Sequence, residues 1–317
     1  MSTASYNCPC CGGGPLKFSG ESGKLECTAC GNNYEPEALE MMTPEESIDE
    51  ITFANDAKRF DTGEAGMRAY FCKNCGAELM ADETAAAECP YCGSPTILPD
   101  RIEGGVKPEK VIPFVVTKEQ AQKQFEDYFK GKRLLPNIFL NGRNRISEMR
   151  RLYIPYWLFS CDACADMVYD AEKVHTEQKG EWEITRTKHY LVRRRGGMRF
   201  ENIPVDGSVK MDDKLTESLE PYDLSAAIPF QSAVLAGAMA DHADADCDAC
   251  EKRAVERSVE QTMLDTVRDY DTVSERSRRI IAERGSATPA LLPVWLMTAV
   301  KEGKTYTFAV NVQTGKL

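Results

Sequence analysis

The sequence of 317 residues has no apolar run long enough to cross a bilayer as a helix. Its strongest apolar stretch, residues 291–300, is short and contains Pro293. The N-terminus lacks the hydrophobic core of an export signal and already carries metal-type cysteines. Positive charge is not in excess. Lys and Arg number 39 against 50 Asp and Glu, a formal net charge of −11. A chain whose main work is gripping phosphate backbones carries a basic footprint instead. Histidine is scarce, and His175, His189 and His242 have no ligand-like or triad-like spacing. There is no G-x-S-x-G and no H-E-x-x-H. Gly303-Lys304-Thr305 resembles the end of a phosphate-binding loop, but that motif needs glycine where Thr298 stands. These absences point away from export, membrane-spanning helices, hydrolysis and nucleotide binding. They favour a non-enzymatic cytoplasmic protein, and nucleic acid is disfavoured as a partner by the acidic balance.

Cysteine, by contrast, is abundant, with thirteen in the chain. Cys8–Cys11, Cys27–Cys30, Cys72–Cys75 and Cys89–Cys92 are C-x2-C pairs, each followed by glycine. Such a turn aims two sulfurs at one ion. The following glycine allows a left-handed backbone that turns amide N–H groups toward the thiolates. Two pairs across a short loop make a four-thiolate zinc ribbon, a closed structural site with no open position for water. The expected ligands are Cys8, Cys11, Cys27 and Cys30 for one zinc ion and Cys72, Cys75, Cys89 and Cys92 for a second. Cys10 is a spare thiol in the first pair. Without an export signal, reduced thiolates holding metal fit better than disulfides.

Two further pairs, Cys161–Cys164 and Cys247–Cys250, share the tetrapeptide Cys-Asp-Ala-Cys and lack the glycine. They would form a third metal site, or a redox disulfide, if the chain brought them together. Otherwise they are ordinary cysteines.

The organisation read from the sequence is a first zinc ribbon over residues 1–36, an acidic linker over 37–67 and a second ribbon over 68–104. Two α+β repeats follow, over 105–222 and 223–317. The fold class is therefore α+β: two small four-cysteine zinc ribbons followed by a duplicated domain of antiparallel sheet and helix. The repeat rests on Val111-Ile112-Pro113-Phe114 returning as Ala227-Ile228-Pro229-Phe230, and Ile154-Pro155-Tyr156-Trp157-Leu158 returning as Leu292-Pro293-Val294-Trp295-Leu296. Thr43-Pro44-Glu45-Glu46 reads as a helix start. Thr117 and Gln120 predict a capping box, with Ala121, Phe125 and Phe129 on one helical face. Strands are expected at 153–159, 165–174, 182–194 and 198–203, with a hairpin turn at Arg195-Gly196-Gly197. A helix over 250–270 should bury Val255, Val259, Met263 and Val267, and a second should cover 274–283. Strands at 291–300 and 305–312 should pair through Glu302-Gly303-Lys304. Asp206-Gly207 with Asp212 and Asp213 reads as a turn and a solvated acidic stretch. Basic residues cluster at 143–151 and at Arg193-Arg194-Arg195; on a strand the latter cannot all face one way.

Taken in order, C-P-C-C-G, D-E-T-A-A-A-x-C-P-Y-C-G, V-I-P-F, Y-I-P-Y-W-L-F, H-Y-L-V-R-R, L-P-V-W-L-M and Y-T-F-A-V-N-x-Q-T-G-K closely resemble a bacterial family of TFIIB-type zinc-ribbon-containing proteins. The resemblance covers nearly the whole chain. Members are often labelled as replication, primosomal or helicase-related, yet no helicase motif is present. The resemblance implies zinc at the eight ribbon cysteines and, in many members, a membrane segment after the Q-T-G-K strand. This chain stops at Leu317 and departs from that pattern, which reads as a soluble member or a shortened form of an anchored one. The resulting expectation is a zinc-binding scaffold or adaptor at the cytoplasmic membrane face, working through protein–protein contacts. The alternative is a nucleic-acid-binding accessory factor.

Overall fold

A computed structural model describes residues 7–316, except 9–10, 12–14, 43–46, 61–67, 82–87, 96, 101–104, 130–148 and 302–303. Near the N-terminus, β1 (Leu16–Phe18), β2 (Leu25–Cys27) and β3 (Asn33–Tyr34) form an antiparallel three-stranded sheet. The helix Pro36–Met42 and β4 (Ile48–Ala54) follow. The helix start expected at Thr43 lies outside the described residues. The larger mixed sheet includes β5 (Arg68–Cys72), β6 (Glu78–Ala81), β7 (Ile97–Asp100), β8 (Lys110–Val111), β9 (Arg150–Lys179) and β10 (Trp182–Asp206). It is completed by β11 (Ile228–Pro229), β12 (Met239–Asp241), β13 (Thr272–Lys301) and β14 (Lys304–Asn311). The strand order is β11-β8-β13-β9-β12-β6-β5-β7, with β10 beside β9, and β4 and β14 beside β13.

The sheet is not purely antiparallel, as the sequence led us to expect. β12 runs parallel to β9, Met239 opposite Leu152, and β8 runs parallel to β13, Ala290 opposite Lys110. Two compact units emerge, and neither is contiguous in sequence. One comprises residues 1–52, 162–198 and 259–283, the other 53–161, 199–258 and 284–317. The second ribbon is therefore no separate domain. Its strands β5 and β6 lie in the main sheet, with β6 antiparallel to β12.

Residues 152–159 explain why β9 starts as it does. Leu152, Ile154 and Tyr156 enter one hydrophobic cluster, while Tyr153, Trp157 and Phe159 enter others. A strand covered on both sides reads as a continuous apolar run. The repeated Pro-x-Trp-Leu motifs fall on the neighbouring strands β9 and β13, where Ile154 and Tyr156 share a cluster with Leu292, Val294 and Leu296.

Three local expectations are corrected. The strand runs straight through Arg195-Gly196-Gly197, and the turn comes at Gly180, in the left-handed region at φ 67°. The two glycines within the strand have ordinary backbone angles, so they mark no turn. Residues 274–283 are part of β13 instead of a helix. Their arginines face partners on other elements: Arg276 Nε donates to Asp170 at 3.0 Å and Arg278 to Asp49 and Glu260 at 2.6 and 2.7 Å. The strands expected between 153 and 203 merge into the long pair β9 and β10.

The helix Lys118–Phe129 begins as its sequence dictates. Thr117 N–H donates to Gln120 Oε1 at 2.8 Å and Gln120 N–H to Thr117 Oγ1 at 3.3 Å. Ala121 and Phe125 are buried in one cluster with Trp295 and Val310. Helical segments Cys247–Val255 and Gln261–Asp265 flank a π-helical turn, Glu256–Glu260, and Val255, Val259, Met263 and Val267 are all buried. The register Lys301 opposite Lys304 pairs β13 with β14 as predicted, although Glu302 and Gly303 lie outside the described set. Replacing Thr117 by Ala removes half of the capping box; chemical denaturation should find about 1 kcal/mol less stability.

Candidate metal centres

The four ribbon pairs converge as two groups of four. Cys8, Cys11, Cys27 and Cys30 form one, and Cys72, Cys75, Cys89 and Cys92 the other, each with all sulfurs within 4.8 Å of one another. Sulfurs about 2.3 Å from a tetrahedral zinc lie about 3.8 Å apart. The observed separations are 3.6 Å for Cys8–Cys30, Cys11–Cys27 and Cys72–Cys92, and 3.7 Å for Cys75–Cys89. The donor set thus fits one zinc ion in each group.

The knuckles owe this convergence to their glycines. Gly31, Gly76 and Gly93 have φ of 74°, 74° and 73°. Their N–H groups bond back to the carbonyls of Cys27, Cys72 and Cys89 at 2.9, 2.8 and 2.9 Å. This folds each turn so that nearby amides face the sulfurs; Ala29 N–H lies 3.4 Å from Cys27 Sγ. Tyr34, on β3, sets its hydroxyl 3.3 Å from Cys8 Sγ, a supporting contact that spacing alone did not reveal.

The two centres differ in their surroundings. In the first, Cys8 and Cys27 are buried while Cys11 and Cys30 are exposed. In the second, Cys72 and Cys89 are completely buried and belong to the same hydrophobic cluster as Leu152, Ile154, Leu292 and Leu296. Burial raises the Cys89 thiol well above the usual range. Polar contacts also reach this centre: Lys210 Nζ donates to the Cys75 carbonyl and Arg150 to Glu88, beside Cys89.

Tyr91, between Cys89 and Cys92, donates its hydroxyl to buried Asp241, which also accepts from Ser208 Oγ. Ser208 N–H in turn donates to Asp206 Oδ1 at 2.9 Å. Burial lifts Asp206 to about 8, with the Asp241 charge adding to it, and lifts Asp241 to about 6. The acidic stretch is thus not uniformly solvated. Asp206 is substantially buried, whereas Asp212 caps the helix Asp213–Ser218 by accepting from Lys214 N–H at 2.9 Å. The signal for Tyr91 lay within the Cys-Pro-Tyr-Cys turn; nothing in the sequence marked its distant partner Asp241.

The two Cys-Asp-Ala-Cys pairs are not gathered into a third group among the described residues. The reason is local. Cys161 and Cys164 lie on β9, where positions three apart point to opposite faces, and accordingly Cys161 is buried and Cys164 exposed. Cys247 and Cys250 instead occupy the first turn of the helix Cys247–Val255, and both are buried. Cys250 Sγ donates to the Asp206 carbonyl at 3.4 Å. Burial pushes both helical thiols to about 12, and nearby acidic groups reinforce it.

The basic clusters are spent in part on acids, Arg150 pairing with Glu88. Arg193 grips Asp166 through Nε and Nη2 at 2.7 and 2.6 Å, holding that carboxyl below its usual range. Arg194 instead lies 3.4 Å from the Thr266 carbonyl. Residues 143–148 of the other cluster lie outside the described set.

Elemental analysis of the purified protein should give two zinc ions per chain. Cys72→Ser should lower the melting temperature of the main unit by on the order of 10 °C, because that centre is part of its core. Cys8→Ser should release one zinc ion and leave the main unit's transition in place. A further expectation concerns pH. Asp206 and Asp241 have raised folded-state pKa values, so their protonated forms favour the fold at low pH. Asp241's contribution is lost as pH rises through about 6 and that of Asp206 as pH rises through about 8. The loss is on the order of 1 kcal/mol per pH unit while one group titrates, so the fall between pH 6 and 8 belongs to Asp206. Denaturant titrations between pH 6 and 8 should show this fall, and Asp206→Asn should flatten it.

No family model matches the sequence, and no solved structure matches it. A relative does emerge from the curated proteins. Bacillus subtilis (strain 168) carries a protein named "Uncharacterized protein YdjG", which is 34% identical over 316 residues, covering 99% of this chain and 88% of the relative. Such identity over the full span, metal knuckles and strands together, is more than isolated ribbons would give. The chain belongs to the family of the Bacillus subtilis protein YdjG.

Proposed function

We propose that the protein is a non-enzymatic, zinc-stabilised adaptor that acts through protein–protein contacts, at the cytoplasmic face of the membrane. The observation that carries this reading is the state of the two centres. Each converges four cysteine sulfurs on one point, a donor set that saturates zinc and leaves no place for water or substrate. The second centre is also built into the main hydrophobic core, so its ion serves folding. Support for a protein partner comes from the charge: net −11, with Arg193 bound to Asp166 and Arg150 to Glu88. Neither arginine is left to grip a phosphate backbone. The resemblance to TFIIB-type zinc-ribbon proteins, with their membrane segment after the Q-T-G-K strand, supports the location. Among the described residues, no helix is long and apolar enough to cross a membrane. Duplication of the α+β domain belongs to the same reading and rests on the recurrent Pro-x-Trp-Leu motif.

The test is capture from solubilised membranes with zinc-loaded full-length protein after nuclease treatment. A saturable set of protein partners is expected. Recovery of nucleic acid alone, together with salt-sensitive binding of single-stranded or duplex DNA near physiological salt, would sink the proposal.

A further inference from the structure

An open groove of the main unit lies outside the two sets of four cysteines, with Glu88 and Pro90 of the second knuckle and Glu119 on its lining. Phe114, Val115, Met149, Arg151, Met239 and Trp295 line it. Phe114 and Trp295 come from the two recurrent motifs, and their rings meet edge to face at 5.6 Å. Trp295 is fixed by its Nε1–H, which donates to the Val116 carbonyl at 3.0 Å. Arg151 lies across both rings, its Cζ 5.7 Å from the Phe114 centroid and 5.6 Å from the Trp295 centroid.

This placement is informative because several arginines among the described residues are used differently. Arg150, the preceding residue, pairs with Glu88; Arg193, Arg253, Arg257, Arg276 and Arg278 each pair with an acid. Arg151 is exposed and has no acid partner among the described residues. Contact with two aromatic rings restrains the guanidinium, and a guanidinium can grip a carboxylate through two N–H groups. Val115, on the same groove, is 66% exposed.

We propose that this groove binds an acidic peptide segment of a protein partner, seating a carboxylate on Arg151 and an adjacent apolar side chain against Val115 and Phe114. The argument is charge complementarity: of the groove's charged side chains, Arg150 is paired with Glu88, whereas Arg151 lies over an aromatic floor with no acid partner among the described residues. Arginine and aromatic side chains are also the types that dominate interface energetics. The proposal rests on the adaptor reading and gives it a contact surface.

The experiment is affinity selection of a random ten-residue peptide library on zinc-loaded full-length protein, followed by fluorescence-anisotropy titration of the enriched peptides. Enriched sequences should carry Asp or Glu beside an apolar residue. Their affinity should fall at least tenfold in Arg151→Gln and in Val115→Glu. The second variant alters an exposed side chain and introduces a repelling carboxylate without touching the core. Replacing the peptide's acids by their amides should abolish binding. The proposal is overturned if enriched peptides lack acids, if either variant binds as the parent does, or if millimolar inorganic phosphate displaces the peptide completely. Membrane capture repeated with Arg151→Gln separates the two readings. Unchanged partners would remove the groove and keep the adaptor, whereas the absence of any protein partner for the parent removes the adaptor itself.

Discussion

Four thiols converging inside a hydrophobic core demand a cation. Around Cys72 and Cys89 the neighbours are Tyr70, Leu79 and Ile154, and both cysteines are completely buried. Ionised thiolates in such a place repel one another and lose hydration. Neutral thiols, crowded to separations near 3.6 Å, would have only weak S–H donors to hold them together. A divalent ion bound by all four resolves both difficulties and turns mutual repulsion into coordination. β5 and β6 enter the main sheet on either side of the Cys72 knuckle, and β6 in turn supports β12. An ion bound there would fix this region of the sheet from within, and the polar chain Tyr91–Asp241–Ser208 ties the Cys89–Cys92 knuckle to residues far apart in sequence.

The first centre solves the same coordination problem with less help. Its sheet β1–β2–β3 is short, and two of its four cysteines remain exposed. Small units of this kind bury too little apolar surface to fold without metal. Tyr34 contributes a hydroxyl near Cys8 in place of a hydrophobic enclosure. Two chemically identical ligand sets therefore occupy different energetic positions. A metal at the first would supply the greater part of its local order, while one at the second would add to a large shared core.

Where the sequence was legible, local geometry decided the outcome. A C-x2-C-G turn must place two sulfurs together and needs φ > 0 at its glycine, so the eight ligands could be read without the fold. The Thr117–Gln120 box and the four-residue spacing of Val255, Val259, Met263 and Val267 were equally local. The Cys-Asp-Ala-Cys pairs were opaque because the same tetrapeptide is extended in β9 and helical at Cys247, and only the helix keeps both sulfurs on one face. Residues 274–283 misled for a related reason. Glu, Arg and Ser suit an exposed helix face, but their partners Asp170, Asp49 and Glu260 lie on other elements, and tertiary ion pairs overrode propensity. The parallel pairings of β8 and β12 were also beyond reach, since two- and three-residue strands carry too little pattern to announce a direction.

The distribution of arginine ties these observations to function. An acidic chain can place most of its cations opposite carboxylates, and this one does so along β9, β10 and β13. Each such pair at the surface adds little stability, about 1 kcal/mol or less, but it neutralises the cation as a contact for other anions. In Arg193-Arg194-Arg195, which looks basic in the sequence, Arg193 is neutralised in this way by Asp166, whereas Arg194 lies against the Thr266 carbonyl. Arg151 escapes this because it lies over two aromatic rings, and cation–π stacking orders the guanidinium without satisfying its hydrogen-bonding edge. Trp295 belongs to a buried cluster with Phe125 and Val310, and Phe114 packs against that cluster. The second set of four cysteines and Arg151 thus lie in one unit, and the groove at Arg151 is lined by residues outside the eight converging cysteines.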